Sequence, residues 1–588
     1  MGQNFVLIMN LLKRLYSWFL YPVRTNRIFY LYLLIGSLAL AVVGNINGQH
    51  NDVFLAILIP IWGSYLYCLL ATILKPVRLH WLAWILSSVL LLGEIFTGLF
   101  NSSMYSVNLV RIIIETPKRE TSEFLSGLWA SPALWITLAC GIGSLLLAWG
   151  IVRGYKYIPQ LGRRILVGLL AICTVWSAIR TEGSHITLIR CFNLESVPQL
   201  NEERYMPCLR TPFIRFMYGA AFTMLTAREY QTLIPAVEDT DIESCSFRSP
   251  NIVLIIGESY NKYHTPLYNP ESMPTTPNMS RMHDEGSLFV FNDVVTPSNL
   301  TAVVMQNMLS TWNEDCSDNW TNHTLFTAAF KKAGYDVYFW SNHYVMEGGG
   351  GLFSNLGGVI FNQPELSRLQ FTARNDHLYK YDGLLLADMP DSMYSFTRPT
   401  LLIYHPMAQH VNYSDRYPAE AAYFTASDAN AKYGGARGQK ITAEYANATR
   451  YNDSLIYALW QRVCDRDVIA IYLSDHGEEC FDYRSFYERS DQNNINAQIA
   501  HYQFEIPFFV MVSDSFKINH PDIVESVAAA VDKPFINSDL CHALFNMAGI
   551  KMADYRADRD LLSPQYDATR PRYIGDHVDY NELIRELK

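Results

Sequence analysis

Val468-Ile-Ala-Ile-Tyr-Leu-Ser-Asp475-His476-Gly477-Glu478 is the stretch from which the rest of this 588-residue chain is read. Its apolar run is short and rich in β-branched residues, which predicts a buried strand. A buried strand that ends in Asp-His-Gly-Glu sets a carboxylate and an imidazole where the backbone turns. In open α/β sheets, ligands collect at that carboxyl end. Carboxylate oxygen with imidazole nitrogen is a donor set suited to Zn²⁺ or Mn²⁺. The ordinary alternative is an Asp capping a turn beside a surface His. It loses ground because other strand-like runs in the same half end the same way.

Working outward, Ile252–Ile256 runs into Gly257-Glu258-Ser259, and Val337–Trp340 into Ser341-Asn342-His343. Leu401–Tyr404 runs into His405-Pro406-Met407-Ala408-Gln409-His410, and Phe508–Val512 is a further apolar run. Helical patterns lie between them, at Ser310–Gly334 and Ala443–Cys464. Alternation of this kind predicts an α/β domain over 249–588 with a mainly parallel sheet and helices on both faces. Parallel strands share one carboxyl edge, so Glu258, His405 or His410, Asp475 and His476 are expected to converge there.

A candidate nucleophile lies in Thr296-Pro297-Ser298-Asn299-Leu300-Thr301, which reads as a strand end, a polar turn and a helix start. Thr301 then falls in the first helical turn, where free N–H groups favour an anion such as phosphate. A hydroxyl bound to a metal there can lose its proton near neutral pH and attack phosphorus or sulfur. The same residues could equally serve only as an N-cap.

The first 181 residues have another character. Five apolar spans are expected, at about 28–46, 53–74, 80–99, 132–152 and 165–181. Residues 5–22, interrupted by Lys13 and Arg14, read as an amphipathic interfacial helix or a poor first span. Glu94 breaks the third span; it is either a weak functional flag at that depth or a group near an interface. Lys13, Arg14, Arg24 and Arg27 precede the first span, Lys75 and Arg78 follow the second, and Arg153, Lys156, Arg163 and Arg164 follow the fourth. The positive-inside rule therefore puts the N-terminus in the cytoplasm and everything after 182 outside. A helical element at 102–126 is expected on that outer face, and 182–248 reads as a linker with short helices. The net charge of −10 argues against a nucleic-acid partner. Cys68, Cys140 and Cys173 fall in apolar spans as packing residues. The seven later cysteines form no zinc-finger spacing; pairs such as Cys191 with Cys208 remain open, with at least one thiol left free.

The order of these elements resembles the alkaline-phosphatase/sulfatase superfamily, and more closely the membrane phosphoethanolamine transferases that modify lipopolysaccharide. Gly257-Glu258-Ser259 is similar to that family's Gly-Glu-Thr, and Ser298-Asn299-Leu300-Thr301-Ala302 to the segment with its nucleophilic threonine. His405-Pro-Met-Ala-Gln-His410 with Arg416-Tyr417-Pro418 resembles its His-x-x-Gly-Ser-His…Arg-Tyr-Pro segment, and Asp475-His476-Gly477-Glu478 its metal motif. The resemblance implies an N-terminal transmembrane bundle and a sulfatase-like domain. It implies one or two zinc ions, with Glu258, Thr301, Asp475 and His476 as ligands. It also makes Thr301 the nucleophile, His410 and His501 acid–base or substrate groups, and Asn342 and His343 binders of phosphoethanolamine. The donor would be phosphatidylethanolamine and the acceptor lipid A or a core glycan, acted on by a monomer in a bacterial inner membrane with its catalytic domain in the periplasm.

Two departures stand out. The family's cysteines flanking the threonine are Pro297 and Asn307 here, and its Gly-Ser before the outer histidine is Ala408-Gln409. Sulfatase chemistry is disfavoured, because Thr301 is not in a Cys/Ser-x-Pro-x-Arg segment. The alternatives are a phosphoglycerol transferase of the lipoteichoic-acid-synthase type or another sulfatase-superfamily phosphohydrolase. The orientation is checked by a reporter fused after residue 588: it should be active only in the periplasm, and cytoplasmic activity would refute the topology.

Overall fold

The computed structural model describes residues 9–10, 14–46, 53–100, 105, 109–110, 113–114, 118–180, 211–313, 316–344, 358–490 and 495–587. They form two compact units, Met1–Arg228 and Glu229–Lys588. Cys191, Cys208 and most of the 102–117 stretch lie outside the described residues. The eight described cysteines are free thiols.

The first unit is helical. It contains α1 (Arg27–Ile46), α2 (Val53–Leu74), α3 (His80–Phe100), α4 (Lys118–Leu128), α5 (Pro132–Tyr155) and α6 (Gln160–Arg180). Within these, Arg27–Gly44, His80–Phe100, Pro132–Tyr155 and Gln160–Ile179 are long and apolar enough to cross a membrane, and Pro60–Leu74 is a shorter apolar segment. Helix α1 packs against α2, α3 and α5. Gly36 permits a close approach, since a Cβ there would lie 2.7 Å from Leu91 Cδ2. Phe29 stacks on Trp84 with ring centroids 4.3 Å apart. On α5 and α6, Leu145, Leu146, Leu147, Ile165, Leu169 and Ile172 are exposed. A continuous apolar face of that kind suits lipid rather than water.

Glu94 is wholly buried in α3. Its carboxylate accepts two hydrogen bonds from Arg215, Nε to Oε1 and Nη2 to Oε2, both at 2.5 Å. The Tyr105 N–H adds a third at 2.9 Å. Arg215 lies in α7 (Pro212–Glu238), one 27-residue helix within the stretch expected to be a linker with short helices. The ionisable group flagged in the third span is thus an anchor for the chain that returns to the bundle.

The second unit is built on a seven-stranded sheet. Its strands are β1 (Asn251–Gly257), β2 (Leu288–Phe291), β3 (Asp336–Ser341), β4 (Ala373–Arg374), β5 (Thr400–His405), β6 (Ile469–Ser474) and β7 (Phe508–Val512), in the order β2-β7-β6-β1-β5-β3-β4. Strands β6, β1, β5, β3 and β4 are parallel. Strand β7 runs antiparallel to both β6 and β2, which makes one edge of the sheet mixed.

Alternation along β1 explains its uninterrupted apolar run. Ile252, Leu254 and Ile256 enter one core with Met305, Met308, Phe326 and Phe330. Val253 and Ile255 enter the other with Leu455, Ile456 and Leu459. A strand buried on both faces has no polar side to show. The first core seats α8 (Thr301–Leu309) and α9 (Phe326–Ala333), and the second seats α10 (Gly435–Gln461).

Two helical expectations change. Among the described residues, Ser310–Gly334 is helical only at Phe326–Ala333, with a short 3₁₀ turn at Trp320–Asn322. There the Asn319 side chain accepts from the Thr321 N–H at 3.1 Å, the local competition that polar residues offer to helix. The Ala443–Cys464 pattern instead begins at Gly435, after Gly434 with φ +80°.

Removing one partner of a buried ion pair leaves an uncompensated charge, a loss of about 3–5 kcal/mol. Glu94→Ala should therefore lower the Tm of the detergent-solubilised chain far more than Glu285→Ala, a surface control. Equal Tm values for the two variants would mean that the Glu94–Arg215 pair is not an anchor.

Candidate metal centre

Strands β1 and β6 are hydrogen-bonded neighbours in parallel register, with Gly257 opposite Ser474. The residues that follow, Glu258 and then Asp475-His476, therefore leave the sheet side by side. All three are wholly buried. His476 Nε2 lies 3.2 Å from Glu258 Oε1 and 3.2 Å from Asp475 Oδ2. One donor atom from each of the three lies within 4.8 Å of the others.

The surroundings fix the roles of individual atoms. His476 Nδ1 donates to the Gly477 carbonyl at 2.7 Å, so Nε2 carries the lone pair; it lies beside the carboxylates and accepts from Arg489. Asp475 Oδ1 accepts from the backbone N–H of Ser259 (3.1 Å) and of His476 (2.7 Å). Asp475 Oδ2 is buried without a hydrogen-bond partner. Burial, and then the Glu258 charge, push the Asp475 carboxyl well up. Burial alone would raise Glu258 too, but its interactions with His476, His343 and His410 hold it well below the usual carboxylate range. Burial holds His476 below its ordinary value, hence neutral. Two carboxyl groups and a neutral imidazole on one buried point, with Asp475 Oδ2 left unpartnered, are a donor set that suits a metal ion.

Helix α8 begins at Thr301, and its N-cap is Leu300, which makes no side-chain cap. Thr301 therefore does not cap the helix. Its Oγ1 donates to Glu258 Oε2 at 3.1 Å and lies 3.4 Å from His476 Nε2. Ser298 Oγ does the local turn work by accepting from the Leu300 N–H at 3.1 Å.

The other expected residues are spread around this point. His343 Nε2 lies 3.9 Å from Glu258 Oε2 and donates to the Pro406 carbonyl at 3.0 Å. His343 and His405, with Glu258, form a second group of donor atoms within 4.8 Å. The two rings are stacked, 4.3 Å apart at 11°. Ring-plane lone pairs on parallel imidazoles run side by side rather than toward one point, so this pair reads as a lining of the site. His410 meets His343 edge-on at 6.1 Å, and burial holds it well below its ordinary value. Arg416 donates to the His410 carbonyl at 3.1 Å and to that of Val411 at 2.8 Å, so the Arg-Tyr-Pro segment clamps the loop bearing His410.

Asn342 and His501 stand apart. The Asn342 amide donates to Asp382 at 2.8 Å and accepts from the Tyr379 N–H at 2.8 Å, so both its ends are committed. His501 bonds Glu505 at 2.9 Å and stacks on Tyr263 at 4.1 Å. Glu505 also takes Lys262 at 2.8 Å and the Tyr580 hydroxyl at 2.7 Å. This cluster is distinct from the Glu258–Asp475–His476 point.

Sequence reasoning missed Asp382, Tyr413 and Arg489. The Tyr413 hydroxyl donates to Glu478 at 2.6 Å, while burial pushes the Glu478 carboxyl up to about 8. Arg489 donates to His476 Nε2. None of the three sits in a strand-end motif, and the isolated residue types carry no signal.

Residues 250–550 match the family described as Sulfatase, just over half of the chain. The chain belongs to the sulfatase family. This sulfatase-family chain is 25% identical over 491 residues to phosphoethanolamine transferase EptC of Escherichia coli O18:K1:H7 (strain RS218 / NMEC), covering 82% of this chain and 81% of that one. The crystal structure of the C-terminal periplasmic domain of EcEptC from Escherichia coli aligns at TM-score 0.50 and 25% identity, over 60% of this chain and 97% of that one. The integral membrane lipooligosaccharide phosphoethanolamine transferase A from Neisseria meningitidis aligns at TM-score 0.58 and 17% identity, over 91% and 96%. That second likeness shows that the helical unit followed by a sulfatase-like domain is a shared architecture.

The donor geometry makes a prediction about metal content. The purified chain should bind zinc, and Asp475→Ala or His476→Ala should each reduce occupancy at least tenfold, the scale of a lost ligand. Elemental analysis giving equal metal in the three proteins would remove the site.

Proposed function

We propose that this chain is a membrane phosphoethanolamine transferase. It would take the phosphoethanolamine group of phosphatidylethanolamine onto Thr301, release diacylglycerol, and pass the group to lipid A or a core glycan. The carrying observation is the Thr301 hydroxyl, turned from the cap position toward Glu258 and His476. The kinship with EptC supports the choice of transferred group. The apolar helices support an inner-membrane chain whose domain from residue 249 onward faces the periplasm. Both substrates are amphiphiles, and a membrane anchor keeps the site at their level.

Glu258, Asp475 and His476, with Thr301, would hold one zinc ion; the orphaned Asp475 Oδ2 and the Nε2 lone pair fit it. A zinc ion there supplies a Lewis acid that lowers the hydroxyl pKa and offsets charge on phosphoryl oxygens.

In the first step the bond from Thr301 Oγ1 to phosphorus forms and the bond from phosphorus to the glycerol oxygen breaks. The Thr301 proton has Glu258 Oε2 as its acceptor at 3.1 Å. The departing alkoxide takes a proton from water and leaves as diacylglycerol. In the second step an acceptor oxygen attacks phosphorus and loses its proton, the bond to Thr301 breaks, and Thr301 Oγ1 takes back the proton held by Glu258. His410, held neutral by burial, is the base for the acceptor's proton. The first N–H groups of α8 face the developing negative charge.

The test is mass spectrometry of the chain incubated with phosphatidylethanolamine alone. An adduct of phosphoethanolamine mass should map to the peptide containing Thr301. Thr301→Ala should stay folded, lose no more than about 1 kcal/mol of stability, and show essentially no transfer. Full activity in that variant, or an adduct elsewhere, would make this mechanism wrong.

A further inference from the structure

Arg489 enters the site from a short antiparallel pairing in which Tyr487 and Glu488 oppose Cys480 and Glu479. Glu488 has φ +82°, a left-handed conformation that non-glycine residues seldom adopt. That turn carries the next side chain back over Asp475-His476. Strain of this kind persists where the surroundings fix it, and these do. Ser490 N–H donates to Gln503 Oε1 at 2.9 Å, and the same oxygen accepts from Asn299 Nδ2 at 2.9 Å. Asn299 Nδ2 also donates to the Ser490 carbonyl at 2.9 Å. The loop bearing Arg489 is therefore locked to the turn that delivers Thr301.

The guanidinium is surrounded by carboxylates yet bonded to none of them. Its nearest carboxylate oxygens are Glu478 Oε2 at 3.6 Å from Nε and Glu258 Oε1 at 3.8 Å from Nη1. Structural arginine pairs elsewhere in this chain are different. Arg484 grips Glu479 through two bonds of 2.8 Å, the bidentate form expected of an ion pair. Among the described residues, the one hydrogen-bond acceptor of Arg489 is His476 Nε2, the lone pair that a bound metal ion would take, which would free the guanidinium for another acceptor. Thr301 Oγ1 lies 3.4 Å from that same nitrogen. The hydroxyl and the guanidinium thus both approach the same atom. A lone pair on an imidazole is a poor match for a planar fork of N–H donors; two oxygens of a phosphate are a good one.

We propose that Arg489 is a phosphate-binding catalytic residue, whose guanidinium holds the non-bridging oxygens of the phosphoryl group that Thr301 attacks. This rests on the transfer reading above and adds to it the group that orients the phosphate. Arg489 stays protonated throughout and moves no proton. The bond from Thr301 Oγ1 to phosphorus still forms as the glycerol oxygen leaves. The fork contributes charge and alignment to oxygens that gain negative charge in the transition state.

The experiment uses the full chain in detergent, as wild type, Arg489→Ala and Arg489→Lys. Three quantities are read: zinc content, equilibrium binding of radiolabelled inorganic phosphate, and the rate of adduct formation on Thr301 from phosphatidylethanolamine vesicles. Charge-assisted hydrogen bonds of this class predict losses of about 10- to 100-fold in both phosphate affinity and adduct rate for Arg489→Ala, with zinc retained. Arg489→Lys keeps the charge but not the fork. It should stay folded and zinc-loaded yet remain at least about fivefold weak in both readouts.

Wild-type phosphate affinity and adduct rate in Arg489→Lys would overturn the proposal, leaving a guanidinium that only balances charge. Zinc loss in Arg489→Ala that Arg489→Lys fully repairs, with phosphate binding, would overturn it likewise. Absence of a Thr301 adduct in the wild type fails the transfer reading instead. If phosphate binding still weakens in Arg489→Lys, the phosphate site then stands without it. Vesicle headgroup and free phosphate are separated by the second and third readouts.

Discussion

Two carboxylates and one imidazole nitrogen, all removed from water and held within hydrogen-bonding range, are the constraint around which this domain is built. Glu258 and Asp475 belong to different segments, and only the parallel register of β1 with β6 brings them together. Burial, and then the Glu258 charge, would drive a proton onto Asp475. The fold opposes this with backbone N–H groups on one Asp475 oxygen and the Ser259 hydroxyl on Glu258 Oε1 at 2.6 Å. It leaves Asp475 Oδ2 uncommitted. A set so partly satisfied costs stability unless a cation completes it. That is why the geometry reads as a metal centre rather than as a structural cluster.

The loops around this point are held in conformations that resist relaxation. Ser259 (φ +55°), Ala408 (φ +38°), Asn412 (φ +64°) and Glu488 (φ +82°) lie in left-handed backbone on three segments that converge on the site. Non-glycine residues tolerate this at a cost of about 1–3 kcal/mol each when packing over-determines them. In return each turn is sharp enough to aim a neighbour: Glu258, Gln409 and His410, the Arg416 clamp, and Arg489. Gly477 belongs to the same economy. A Cβ there would lie 2.3 Å from the Tyr502 carbonyl, so the turn after His476 can sit against the helix at Ala497–Gln503 only as glycine.

The strands that carry the site were legible because burial on both faces writes an uninterrupted apolar run. Val468–Leu473 and Phe508–Val512 differ from the observed strands by at most one residue at an end. The polar groups just after such runs were legible for the same reason: a break in hydrophobicity marks the sheet's edge. What the sequence hid are elements without periodicity. Ala373–Arg374 is too short to show alternation, and the 3₁₀ turn at Trp320–Asn322 is set by an Asn side chain rather than by a pattern. Partnerships across long separations were hidden too. Glu94 could be noticed in its span, but Arg215 lies 121 residues away. Arg489 sits in polar sequence where one arginine reads like any other.

Asp382 shows how a residue far from any motif governs the motif's geometry. Its Oδ1 accepts from Asn342 Nδ2 at 2.8 Å and from the Met407 N–H at 2.9 Å. Its Oδ2 accepts from the Ala408 N–H at 2.9 Å, and its carbonyl takes the Tyr404 hydroxyl at 2.9 Å. One buried carboxylate thereby ties the end of β3 to the turn that follows β5. Ala408 is driven into left-handed backbone at that turn, and Gln409 and His410 follow. Asn342 is then a strut between Asp382 and Tyr379 rather than a side chain directed at a ligand. The stacked His343 and His405 acquire their parallel geometry from the same tie, because it fixes the spacing of the two strands beyond their last ladder bond. The site's lining is thus set by hydrogen bonds to a carboxylate outside every motif, while the motifs themselves supply only the groups that meet at Glu258.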